Sequence, residues 1–377
     1  MTERSLEELV REARILVCCG SGGVGKTTVA AALGIEAAKA GRRAVVVTID
    51  PAKRLADALG LDALTGEPGV VDGPWEGEMA ALMLDTKNTF DNLVTKHASS
   101  PEQAESILSN RFYRNVSGAL SATQEFMAME KLYELHEETD YELIVVDTPP
   151  SRHALDFLDA PSTLTRFLEH PLFRIVIAPT RGLVKAMNVA AQAFLRTVSR
   201  VVGSEVIEDA IAFFKAFEGM EEGFRNRAAK VDELLADDST AFVLVASPRR
   251  DTIEEATYFA DQLLEADLRV RALVVNRMHP RFGDGLAEAT RERSRTLEGT
   301  DLGGLYANLA DFQLVAAREE EHLSSLASEV EPAPVVRVPF LERDVHDLDG
   351  LSKLSDHLFG AFPGHAGQAP SRSDGAG

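Results

Sequence analysis

The chain has 377 residues, more than one compact core ordinarily holds, so its length allows two domains or one large α/β domain carrying an insertion. Apolar residues make up 45 % and charged residues 26 %, values of a globular protein that exclude wholesale disorder. Lys and Arg number 39 against 60 Asp and Glu, a formal net charge of −21 that disfavours a grip on nucleic-acid backbone.

In chain order, short β-rich runs appear at Arg14–Cys19, Arg43–Thr48, Met79–Leu84, Leu143–Val146, Ala241–Ala246, Val270–Val275 and Val335–Val338. They lack clean polar alternation, as strands covered on both faces do. Helical patterns stand between them: Thr27–Ala40 follows the first strand, and Ile253–Ala266 opens on a Thr252–Glu255 capping-box pattern. Strand and helix in alternation predict a doubly wound, mostly parallel sheet. Two intervals break the rhythm, 86–140 and 151–238, with only a short run at Phe173–Ala178 resembling a strand. In the second, Phe194, Val198, Val201, Val202, Ile207, Ile211, Phe214 and Phe217 recur at helical spacing. The expectation is a single domain over 1–360 whose helical subdomain is contributed by about 86–140 and 151–238. The stretch Pro363–Gly377, rich in Gly, Ser, Ala and Pro, reads as a disordered tail.

The two cysteines, Cys18 and Cys19, are adjacent in the first strand and point to opposite faces, so no bridge joins them. There is no CxxC pair, hence no cysteine zinc site, and no apolar run approaches a membrane span. A reduced cytoplasmic protein is the reading, with peripheral attachment at a membrane as a further option.

Three strand ends carry chemistry. Gly20, Ser21, Gly22, Gly23, Val24, Gly25, Lys26 and Thr27, followed by Thr28, fit GxxxxGK[ST] between a strand and a helix, the context that motif requires. Its glycines let backbone N–H groups converge on an anion at a helix N-terminus. Lys26 reaches the β- and γ-phosphates of ATP, and the Thr27 hydroxyl ligates Mg²⁺. Asp147 closes the Leu143–Val146 strand, where a carboxylate orients the Mg²⁺ ion and its waters. Asp50 closes the second strand, a position for orienting a nucleophilic water, and it also suits a helix N-cap ahead of Pro51. Asn276 ends the Val270–Val275 strand, either as a reader of the adenine edge or as a turn residue.

With GSGGVGKTT, VTIDPAKRLADALG, IVVDTPPSRHALDFL, VVNR and VPFLERDV in this order, the chain resembles the ArsA-type ATPases over about residues 14–360. These are the arsenical-pump ATPases and the targeting ATPases for tail-anchored membrane proteins, in the MinD/ParA-like branch of P-loop enzymes. The resemblance implies a Mg-ATP-dependent ATPase. It makes Asp50 the water-activating residue of a first switch, Asp147–His153 a second switch, and Asn276 with Pro339 and Phe340 the adenine contacts. It also implies a second ATPase subunit, a homodimer partner or a paralogue, because such enzymes set two nucleotide sites face to face and this chain has one phosphate loop.

Three departures qualify it. The family's signature lysine falls on Ser21, the glycine before the second-switch histidine falls on Arg152, and the metalloid and zinc cysteines are absent. Arsenite wants thiolates, so an arsenite site is disfavoured, and no zinc clamp is expected. A cation near the γ-phosphate then has to come from Arg152, from Lys53 or Arg54, or from a partner's lysine, with Arg152 preferred. The helical insert suits both a groove for a membrane-protein client's transmembrane helix and the internal packing of a bundle. The leading expectation is a dimeric nucleotide switch serving a membrane-protein client or a transporter. The alternative is a nucleotide-binding regulatory or scaffold subunit with little turnover, which Ser21 favours.

Overall fold

The first strand, β1 (Ile15–Gly20), is buried along its whole length and has no polar side chain. Such a strand needs cover on both faces. It lies inside an eight-stranded sheet of order β3-β4-β2-β5-β1-β6-β7-β8. The others are β2 (Arg43–Thr48), β3 (Gly69–Val70), β4 (Glu78–Met83), β5 (Leu143–Asp147), β6 (Thr240–Ala246), β7 (Val270–Met278) and β8 (Val335–Pro339). All pairings are parallel except that of β3 with β4. This computed structural model describes residues 5–50, 54–111, 113, 121–149, 204–216, 219–283 and 285–360. All seven expected strands are present. The two-residue β3 is an addition at the edge, and β7 continues three residues past Val275.

Side-chain alternation divides the core into two layers. Ile15, Val17 and Cys19 of β1 face a layer with Leu93, Phe126, Phe224, Phe259 and Leu323. Leu16 and Cys18 face the other, with Val29, Leu33, Leu55, Leu351 and Leu358. Both thiols are fully buried. Burial raises the pKa of each, and for Cys18 the Asp147 charge adds to it. Neither is available as a thiolate ligand.

Helices α1 (Leu6–Glu12), α2 (Lys26–Lys39) and α3 (Arg54–Leu59) come first, and the described residues of the first interval include α4 (Thr86–His97), α5 (Pro101–Leu108) and α6 (Ser121–Glu138). The second interval contributes α7 (Ser204–Ala216) and α8 (Glu221–Ala236). Among the described residues neither interval contains a strand. The Phe173–Ala178 run, Phe194, Val198, Val201, Val202, Phe217, the side chains of Ile207, Ile211 and Phe214, and the Pro363–Gly377 tail lie outside the described residues. Between α6 and α8 the Arg227 guanidinium grips the Glu130 carboxylate, with Nε 2.9 Å from Oε1 and 2.8 Å from Oε2. It also lies 3.8 Å from the Tyr133 ring centroid.

One helix start needs correcting. α9 runs Arg250–Glu265, and its N-cap is Arg249, which makes no side-chain cap hydrogen bond. Thr252 therefore sits inside the first turn rather than before it. Its hydroxyl turns back 2.8 Å from the Ser247 carbonyl, so the expected Thr252–Glu255 capping box does not form. The crossover from β7 to β8 carries a helical hairpin, α10 (Ala287–Thr296) and α11 (Asp301–Glu329), and α12 (Leu348–Phe359) follows β8.

Candidate active site

The strands deliver their chemistry at their C-terminal ends, where ligands bind in open parallel sheets. Gly20 ends β1 at φ 142°, and a Cβ there would lie 2.0 Å from the Val245 carbonyl oxygen of β6. Only glycine passes so close. Gly25 is the N-cap of α2 at φ 100°, and a Cβ there would meet Asn276 Nδ2 at 2.4 Å. No side chain caps α2. Its first amides are thus left to an anion, with the helix dipole reinforcing them.

Lys26 is 7 % exposed, and its ammonium donates to the Ser21 carbonyl at 2.9 Å, closing the loop on itself. Burial lowers its pKa, and the charge of Asp147 opposes that shift. Ser21 is buried, and its hydroxyl lies 3.4 Å from the Thr252 carbonyl, so it faces the body of the protein.

Asp147 is the best-built carboxylate of the group. Its Oδ2 accepts from Thr27 Oγ1 at 2.8 Å and from Thr48 Oγ1 at 2.9 Å. Its Oδ1 is buried with no hydrogen-bond partner. Desolvation lifts its pKa to about 6, against the lowering effect of the two threonine hydroxyls and Lys26. An orphaned carboxylate oxygen costs about 1–3 kcal/mol or more unless water or a cation meets it. Thr27 and Asp147 together are hard oxygen donors of the kind Mg²⁺ takes, so these residues fit the ion.

Asp50 stands two residues beyond β2, the neighbour of β5 in the sheet, where Thr48 is in register with Asp147. Its side chain is one-quarter exposed, with Oδ2 3.7 Å from Arg54 Nη1. The carbonyl just before it, Ile49 O, accepts from Gln124 Nε2 of α6 at 2.9 Å. A partly open carboxylate at this strand end can orient water, whereas the enclosed Asp147 suits a metal.

At the end of β7, Asn276 is 9 % exposed and its Nδ2 donates to the Val24 carbonyl at 2.8 Å. That contact uses one of the two amide hydrogens and leaves the second for a base edge. Pro339 ends β8 opposite Met278, and the 60 % exposed Phe340 follows, its N–H donating to Met278 O at 2.7 Å. Lys53, Arg152 and His153 lie outside the described residues. The structure thus brings Lys26, Thr27, Asp50 and Asp147 to one edge of the sheet, with Asn276 against the same loop.

Three participants escape the sequence reading. Thr48 would follow from pairing the second strand with the Asp147 strand, since the register then sets it opposite Asp147. Gln124 and Arg277 carry no comparable signal, because each acts through a side-chain contact with distant backbone.

Comparison with known proteins agrees with this geometry. The sequence model of the anion-transporting ATPases, the ArsA ATPases, matches residues 13–300. The "Putative arsenical pump-driving ATPase 1" of Aquifex aeolicus (strain VF5) is 25 % identical over 367 residues, covering 93 % of this chain and 80 % of that protein. "ATPase get3" of Aspergillus terreus (strain NIH 2624 / FGSC A1156) is 23 % identical over 363 residues, covering 95 % of this chain and 94 % of its own. "ATPase GET3" of Malassezia globosa (strain ATCC MYA-4612 / CBS 7966) is 25 % identical over 346 residues, covering 91 % and 90 %. A phosphate loop between a buried strand and an uncapped helix, two strand-end carboxylates and a match over most of the length agree: the chain belongs to the anion-transporting ATPase family and is an ATPase.

Proposed function

We propose that this ATPase works as a Mg²⁺-dependent dimeric switch, in which ATP turnover moves helices that serve a membrane-protein client or a transporter. The single observation that carries the coupling is the Gln124 contact. Gln124 of α6 holds the carbonyl of Ile49, the residue before Asp50. The same helix carries Glu130, which is gripped by Arg227 of α8. A change in how the Asp50 segment is held is therefore passed to α6 and α8 through fixed hydrogen bonds rather than through loose loops.

In this reading the amides of Gly20 to Thr28 bind the phosphates and Lys26 supplies a ground-state charge to them. Thr27 and Asp147 hold Mg²⁺, whose charge offsets that of the phosphates. Asp50 accepts a proton from the attacking water, and Arg152 supplies the cation that Ser21 does not. Asn276, Pro339 and Phe340 bind the adenine. The helical subdomain of about 86–140 and 151–238 belongs to one domain over 1–360 and acts in the cytoplasm, at times against a membrane. No described helix is long and apolar enough to cross one.

Neither thiol is accessible to a metalloid cargo. Both cysteines are fully buried, with pKa values raised by desolvation. One observation favours the second reading, a nucleotide-binding subunit of low turnover: Ser21 is buried against the body of the protein, and its hydroxyl supplies no positive charge.

Light scattering tests the switch. With Mg-ATP the purified chain is expected to have twice its monomer mass, and with ADP the dimer should loosen. A monomer in every nucleotide state, or a dimer indifferent to nucleotide, contradicts it.

A further inference from the structure

β7 does not end as a regular strand. Val275 pairs with Arg337 of β8 and Met278 with Pro339, so three steps on β7 match two on β8. The extra residue makes a bulge, a device that re-aims side chains. Within it Arg277 adopts φ 63°, in the left-handed region that favours glycine. In a flat strand the side chains of Asn276 and Arg277 would point to opposite faces. Here both reach the phosphate loop, on consecutive carbonyls. Asn276 Nδ2 donates to Val24 O at 2.8 Å, and Arg277 Nη1 donates to Gly23 O at 3.0 Å. The Asn276 amide oxygen in turn accepts from Arg277 N at 2.9 Å, which fixes the pair as a unit.

The side of the loop matters. In a trans peptide the C=O and the next N–H point in opposite directions. A guanidinium on the Gly23 carbonyl is therefore on the side away from the Val24 amide and the anion that such amides hold. Arg277 is exposed, and no carboxylate pairs with it among the described residues. The strained conformation thus holds a planar cation at the loop's outer rim, beside the amide of Asn276. Immediately past the bulge, the Met278 carbonyl anchors exposed Phe340.

We infer that Arg277 lays its guanidinium on the face of the nucleotide's purine ring, making it a base-binding residue rather than the missing phosphate cation. A planar guanidinium stacks on aromatic faces, and one nitrogen tied to Gly23 O fixes its plane while leaving its face available. Asn276 meets the edge of the same base with its second amide hydrogen. The inference rests on the phosphate-loop reading of Gly20–Thr28.

Calorimetric titration with Mg-ADP and with Mg-pyrophosphate separates base from phosphate. The variant is Arg277→Gly, because glycine takes φ 63° without strain and the fold should be no less stable. The expected result is an ADP affinity lower by about 3- to 30-fold, pyrophosphate affinity unchanged, and an unliganded melting temperature equal or higher. Equal losses for ADP and pyrophosphate would show that Arg277 only braces the loop, and an unchanged ADP affinity would remove it from the site; either overturns the inference alone. A wild-type chain that binds neither probe, or a Lys26→Ala variant that binds ADP as tightly as wild type, overturns the phosphate-loop reading and the inference with it.

Discussion

Asp50→Asn is expected to lower ATP turnover on the order of 10²–10⁴-fold while leaving nucleotide affinity nearly unchanged. The substitution keeps size and hydrogen-bonding capacity but removes the charge that draws a proton from water. Its neighbourhood supports separating rate from binding. Asp50 is held by its strand and by the Gln124 contact on Ile49, and its side chain is one-quarter open. The phosphate-holding elements, Lys26 and the α2 N-terminus, belong to a different segment. Steady-state phosphate release and calorimetric titration of the variant provide the check. Equal losses in binding and rate would make Asp50 a metal ligand or a structural cap instead.

Arg227→Ala is expected to cost about 3–5 kcal/mol of unfolding free energy. Glu130 is 4 % exposed and Arg227 9 % exposed, so removing the guanidinium strands a carboxylate in the interior. Burial already raises the Glu130 pKa, and the hydrogen bonds and charge of Arg227 are the main forces opposing that shift. The arginine also covers the Tyr133 ring, so truncation loses packing as well as charge. A double replacement, Glu130→Leu with Arg227→Met, removes both charges and should recover most of the loss. Urea unfolding of the single and double variants measures this. A single variant within about 1 kcal/mol of wild type would mean that the pair is solvated rather than buried, because exposed pairs are worth no more than that.

Legibility in the sequence follows how local each signal is. The seven runs are legible because a strand buried on both faces must be apolar throughout, as in Ile15–Cys19 and Leu143–Val146. The phosphate loop is legible because its glycines answer fixed backbone needs, such as the 2.0 Å approach of Gly20 to β6. Asp147 is legible by position, at the end of an apolar strand. The contacts that escape a sequence reading depend on partners far along the chain. Gln124 meets Ile49 across 75 residues and Arg277 meets Gly23 across 254, so no window of sequence contains either contact. The bulge at Arg277 is hidden because nothing in VVNRM marks a left-handed residue. The Thr252–Glu255 spacing is misleading for a related reason. It has the right residue types, but the chain enters α9 three residues earlier than the pattern suggests.

The measurement that tests the account most directly is phosphate release from ATP by the pure chain, with and without Mg²⁺, for wild type and Lys26→Ala. Release is expected to stop on chelation of the ion and to be nearly abolished in Lys26→Ala, with weakened nucleotide binding in that variant. A wild-type chain that binds ADP tightly yet releases no phosphate with Mg²⁺ present would contradict it, and would make the chain the nucleotide-binding subunit of an enzyme completed elsewhere.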